Sequence, residues 1–271
     1  MSDAAIGIFD SGIGGLTVMR ALVARLPDEE FIYLGDTARL PYGTKSGDTV
    51  TRYAVQAAGA LMKRKVKMLV VACNTASAVA LPALQGMFAE VPVVGVIVPG
   101  AEAAVTAAPQ GPIAVIATEG TVKGGAYVRA IEDHGRSIPV IQQACSLFVS
   151  IAEEGLVEGE IAEAIARRYL DPLLAAVPKP KALVLGCTHF PALKNTIAKI
   201  AGPDIKLVDS AETTAKAVEA ILREKNIKRS GTKPSHTFLA TDAPDRFARV
   251  GEIFLGQPID PGSVELVDLQ S

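Results

Sequence analysis

A chain of 271 residues with a formal charge of −2, from 27 Lys and Arg against 29 Asp and Glu, can bury one large core or two smaller ones. It carries no bulk positive charge with which to hold nucleic acid, and the absence of Trp weakens any base-stacking platform. Three cysteines do not make a disulfide framework, and no apolar run reaches the roughly 18 residues of a membrane helix. The opening MSDAAIGIFD has neither the basic nor the apolar segment of a signal peptide, so a soluble, cytoplasmic protein is expected.

In chain order, residues 5–9 (AIGIF) read as a buried strand that runs into the flexible turn DSGIGG and a helical stretch over 16–26. Residues 31–34 (FIYL) are the next strand, followed by the polar loop GDTARLPYGTKS. Over 48–62, Val50, Ala54, Ala57, Ala58 and Leu61 recur at helical spacing. A strand ending near Cys73 follows, then one at 93–97 (VVGVI), and Pro99-Gly100 reads as a break. The pattern then restarts with IAVIA at 113–117, which ends in Thr118 as AIGIF ended in Asp10. The first two strands begin 25 positions apart in each half, counting from IGIF to FIYL and from IAVI to IPVI. Helical patterns carrying Leu147, Phe148, Ile151 and Leu156 and then residues 161–174 precede a strand that delivers Cys187. Pro191 suits the first turn of a helix ending at Gly202, and KLVD at 206–209 closes this half. The tail (helix 213–222, strand 237–240, helix 244–255) is too short for a third domain and is expected to pack back on one half. The basic stretch 223–233 (REKNIKRSGTK) reads as a solvated connector.

Strands that alternate with helices and are apolar throughout predict an α/β fold: two similar α/β domains with parallel sheets, related by a pseudo-twofold axis, with an active site between them. The expected division is 1–97 plus 210–271 for the first domain and 98–209 for the second.

The strongest internal echo is LVVACNTAS against LVLGCTHFP, which places Cys73 and Cys187 114 positions apart, each at the carboxyl end of a buried strand. Ligands in parallel sheets sit at such ends, where Asp10, Ser11, Tyr42, Thr118 and His189 also fall. One such cysteine alone would read as a buried core residue; two matched ones beside Asn, Thr and His read as chemistry. Each precedes a helix start, which favours thiolate, and Asp10 and His189 are candidates to relay protons. No C-x-x-C or H-x-x-x-H spacing supports a metal site. SGIGG lacks the third glycine of a dinucleotide loop, and Asp10 would repel a pyrophosphate. Cys145 reads as structural. Two acid/base groups facing one substrate atom from opposite sides suit racemisation, because one removes a proton from a stereocentre and the other returns a proton to the opposite face.

IGIFDSGIGGLTV, YLGDTARLPYGTKS, VVACNTASA, ATEGTV and VLGCTHFP, with a late FLATD segment, resemble the glutamate racemase family of the aspartate/glutamate racemase superfamily, over residues 6–255. The resemblance implies a cofactor-independent, metal-free enzyme that interconverts L- and D-glutamate to supply D-glutamate for peptidoglycan. By motif, Cys73 and Cys187 would be the proton donor/acceptors, assisted by Asp10 and His189. Asp10, Ser11, Tyr42, Gly43, Asn74, Thr75, Thr188 and His189 would bind substrate, and Glu153 would support the site. It also implies a homodimer without membrane or nucleic-acid partners. Some relatives are reported to bind DNA gyrase; such a second role stays open here but is not predicted, since intact cysteines and substrate residues argue against loss of catalysis. Ser146 stands where many relatives have proline, Val98 where many have glutamate, and ATDAP where TTGD is usual, which touches local packing rather than chemistry. The chain begins without the extension through which some members bind a nucleotide-linked activator, so that regulation is not expected. An aspartate or hydantoin racemase is the nearest alternative.

Overall fold

The apolar runs assemble as two parallel sheets. The computed structural model describes residues 3–134, 137–230 and 234–269. The first half runs β1 (Ile6–Asp10), α1 (Leu16–Arg25), β2 (Phe31–Gly35), α2 (Gly47–Lys63), β3 (Met68–Val71), α3 (Asn74–Val79), α4 (Leu81–Met87), β4 (Val93–Gly95) and α5 (Ile97–Ala107). The second runs β5 (Ile113–Ala117), α6 (Glu119–Gly124), α7 (Ala126–Glu132), β6 (Val140–Ala144), α8 (Leu147–Glu153), α9 (Glu160–Leu174), β7 (Ala182–Gly186), α10 (Lys194–Ala201) and β8 (Lys206–Asp209). The tail adds α11 (Ser210–Glu224), β9 (His236–Ala240), α12 (Pro244–Leu255) and β10 (Val264–Leu266).

The sheet orders are β10-β9-β2-β1-β3-β4 and β6-β5-β7-β8. Four consecutive strands of each half therefore take the same order, second-first-third-fourth, and both cysteines follow the third strand. The repeat lies in this topology and not in the spacing counted from the sequence. Ile6 pairs with Phe31 but Ile113 pairs with Val140, offsets of 25 and 27. Ile138 and Pro139 precede the second strand of the repeat instead of opening it.

Alternation sorts the side chains of the first sheet. Ile6, Ile8, Met68 and Val70 enter a core that continues into the second half through Ile113, Val115 and Leu183. Phe9, Leu69 and Val71 face the other way, onto Val50, Ala54, Ala58 and Leu61 of α2. That helix starts as its sequence dictates, with Ser46 Oγ accepting from Thr49 N and Asp48 in the first turn. Burial of each such Leu, Val or Phe contributes roughly 1.5–3 kcal/mol.

Pro99-Gly100 is not a break. Strand β4 stops at Gly95, and both residues lie inside α5, Pro99 in its first turn, where an amide N–H has no intrahelical partner to lose. Leu156 lies beyond the end of α8 and is exposed. The tail packs on the first half, as β9 pairs with β2 and α12 packs on α1. Within the basic connector, Arg223 pairs with Glu219 and Arg229 with Glu30, so it is tied down; residues 231–233 lie outside the described residues. No helix among the described residues is long and apolar enough to cross a membrane.

Candidate active site

The carboxyl ends of β1, β3, β5 and β7 converge on a cavity of about 250 Å³. Its wall includes Ser11, Tyr42, Gly43, Cys73, Asn74, Thr75, Cys187, Thr188 and His189. Two residues picked from the sequence do not reach the wall: Asp10 stands behind Thr188 and Glu153 behind His189, each bonded to that lining residue. Thr118, at the end of β5 as expected from the sequence, also lines it, and Pro41, Thr44, Glu119, Ser146, Val149 and Ser150 complete the lining. Those on α8 had no motif to mark them, because their place depends on how the two sheets meet. Ser146 therefore bears on the cavity itself and not on packing alone.

Cys73 is the N-cap of α3. Its Sγ accepts from Ala76 N at 3.4 Å and meets Ser11 Oγ at 3.7 Å. The expectation that a helix start favours thiolate fails here. Burial first, and then the charge of Asp10, push this thiol up to about 12, outweighing the Ala76 amide and Ser11. Asp10 is fully buried and accepts from Gly12 N at 3.0 Å. Burial raises its pKa, while His189 and nearby backbone amides oppose the rise.

Cys187 does not open a helix directly; Thr188 and His189 intervene before a 3-10 turn at Phe190–Leu193. Its Sγ lies 3.8 Å from His189 Nδ1, and His189 Nε2 is 3.0 Å from Glu153 Oε1. Arg246 on α12 donates to Glu153 Oε2 at 2.9 Å. Burial disfavours the imidazolium, but hydrogen bonds to Cys187 and Glu153 and the charges of Cys187 and Asp10 prevail, raising His189 to about 10. Burial likewise works against the Glu153 carboxylate, yet His189 and Arg246 bring it down to about 2. A Cys187–His189–Glu153–Arg246 chain thus runs from the cavity to the tail.

Close approach explains the glycine-rich turn. A Cβ on Gly14 would lie 2.4 Å from His189 Nδ1 and 2.7 Å from Thr188 Oγ1, and one on Gly15 would lie 2.5 Å from Asp10 Cβ. Gly14 therefore makes room for the second half's side chains, and Gly15 for Asp10 of the first. Thr17 Oγ1 on α1 ties the halves further, donating to the Thr188 carbonyl at 2.8 Å. Thr75 meets Thr118 and Thr121 at 2.9 and 3.3 Å across the same seam. The Tyr42 hydroxyl is held by Asp36, whose carboxylate Arg39 grips through Nε at 2.7 and 3.0 Å.

Residues 6–218 match the Asp/Glu/Hydantoin racemase family, and the chain belongs to that family of amino-acid racemases. Within it, the chain stands among the glutamate racemases. The glutamate racemase of Geobacter metallireducens is 49% identical over 268 residues, spanning 98% of this chain and 97% of that one. The crystal structure of glutamate racemase from Francisella tularensis in complex with D-glutamate matches with a TM-score of 0.91 at 39% identity, covering 99% of both chains. That of the Escherichia coli glutamate racemase, in complex with L-glutamate and the activator UDP-MurNAc-ala, matches with a TM-score of 0.75 at 29% identity, covering 93% of this chain and 95% of that one. The two-sheet α/β architecture expected from the strand pattern is the one observed.

Proposed function

We propose that the chain interconverts L- and D-glutamate without a cofactor by two-thiol proton transfer between Cys73 and Cys187. The observation that carries this reading is that two cysteines, each after the third strand of a repeated four-strand order, line one cavity. One thiolate takes the Cα proton and becomes a thiol; the electron pair left on carbon is delocalised into the carboxylate; the opposite thiol delivers its proton to the other face and becomes the thiolate. Each turnover swaps the protonation states, which suits a reaction whose two ends have equal free energy.

With its thiol at about 12, Cys73 is a proton donor in the ligand-free cavity. A substrate ammonium about 4 Å from the sulfur contributes roughly 4 kcal/mol at an effective dielectric near 20. At about 1.4 kcal/mol per pH unit, that offsets the gap between a thiol at about 12 and its ordinary value of 9. Substrate binding thereby returns the Cys73 thiol toward its ordinary range, where its thiolate is within reach. On the other side, the His189 imidazolium stabilises negative charge on Cys187. Ser11, Asn74, Thr75 and Thr188 hold the carboxylate and ammonium, Tyr42 and Gly43 complete the grip, and Asp10 braces Thr188.

The working division is 1–97 plus 210–271 against 98–209, with closure between the halves excluding water. The enzyme would act in the cytoplasm as a homodimer, supplying D-glutamate for peptidoglycan. Incubation with L-glutamate in deuterated buffer, with no cofactor added, tests the reading. Decay of the circular dichroism signal to zero with deuterium gain at Cα is expected. Exchange without inversion would overturn the two-thiol step, and loss of neither signal would overturn glutamate as substrate.

A further inference from the structure

Asn74 opens α3 and is buried in the cavity wall. Its Oδ1 accepts a hydrogen bond of 2.8 Å from the Tyr127 hydroxyl. Its Nδ2 is buried with no hydrogen-bond partner among the described residues. An unmet buried donor costs about 1–3 kcal/mol, and in a ligand cavity the natural acceptor comes from the ligand. An N–H donor cannot serve an ammonium, so on an amino acid its partner is a carboxylate oxygen. An amide free to turn over would present oxygen as readily as nitrogen, and oxygen would repel that carboxylate. In this structure the Tyr127 hydroxyl donates to Oδ1, which leaves Nδ2 as the end without a protein partner.

Tyr127 belongs to α7, in the other half of the chain, and is fully buried. Its ring occupies a slot between two glycines. A Cβ on Gly100 of α5 would lie 3.3 Å from the ring, and one on Gly186, the last residue of β7, would lie 3.0 Å from it. The hydroxyl is therefore located by packing independent of Asn74, as a fixed reference for the amide must be.

We propose that Tyr127 is a positioning residue that locks the Asn74 amide with Nδ2 turned to the substrate carboxylate, its ring admitted by Gly100 and Gly186. This rests on the amino-acid racemase reading and deepens it.

Tyr127→Phe keeps the ring and removes the hydroxyl. The expected result is a fall of about tenfold in kcat/KM, carried by KM more than by kcat, with a thermal midpoint close to that of the wild type. On an Asn74→Ala background the same substitution should add nothing. Affinity is read by calorimetry as well as KM, so that a slow Asn74→Ala enzyme still reports. Unchanged kcat/KM, a lowered midpoint with normal turnover, or an equal loss in both backgrounds would each overturn the proposal. The comparison is run on whichever of glutamate and aspartate the wild type racemises. Activity on aspartate alone removes the glutamate reading and leaves the Tyr127 cycle decisive; a wild type inert to both removes both.

Discussion

At the end of β3, Cys73 caps a helix, shares its sulfur with an amide and a hydroxyl, and has the Asp10 carboxylate buried behind it. At the end of β7, Cys187 meets an imidazole that a carboxylate and a guanidinium hold in place. Strand order makes these positions equivalent, but their electrostatics are opposite: one sulfur looks toward negative charge and the other toward positive. The repeated strand order thus brings two thiols to one cavity without giving them the same surroundings. For enantiomers the equilibrium constant is unity, so the two directions must share one kcat/KM. The asymmetry of the thiols can then appear only in kcat and KM separately, and in which face loses its proton faster.

The hardest way to break the comparison is to remove either sulfur. Cys73→Ala and Cys187→Ala are each expected to lower racemisation by about 10³-fold or more, since a positioned acid/base group contributes about 10²–10⁴. If each thiol serves one enantiomer, the two variants lose deuterium exchange from opposite enantiomers in the first turnover. Racemisation at the wild-type rate in either variant would refute a two-thiol reaction. His189→Asn comes next, and it should separate the ends. Exchange dependent on Cys187 falls about 10–100-fold, while exchange dependent on Cys73 changes by no more than severalfold. Equal losses from both enantiomers would mean that the imidazolium serves the cavity as a whole.

The strand-end cysteines, the residues after β1 and the Thr188-His189 pair were legible because a parallel sheet converts an apolar run and its next few residues into an address. The contacts that make the ends differ were not. Arg246 and Tyr127 belong to no motif singled out in the sequence, and both make their contacts with residues more than 50 positions away. Pro99-Gly100 misled for a related reason. Local rules read the pair as a break, whereas proline is tolerated in a first turn and the glycine is explained by the ring lying against it. Strand β10 is three residues long, too short for an alternation pattern to register.

The mildest test leaves both sulfurs and the imidazole in place and alters only what holds the imidazole. In Glu153→Gln, His189 loses an anion that helps raise it to about 10, so its pKa falls toward the ordinary 6.5. The ring then deprotonates at lower pH, and the alkaline limb of kcat/KM should move down by about one pH unit while activity near pH 6 is spared. A limb that stays in place would assign it to another group. Stability should follow the same pair. The raised His189 pKa stabilises the fold fully below about 6.5, and that contribution is lost as pH rises through about 10. The lowered Glu153 pKa contributes fully above about 4.5 and is lost as pH falls toward about 2. The pair is therefore most stabilising between about pH 4.5 and 6.5, and Glu153→Gln should flatten the thermal midpoint on both sides of that window. Because neither limb involves Cys73, the variant should leave the β3 end untouched, so an altered Cys73-dependent exchange rate at pH 6 would show that the two ends are coupled through Asp10.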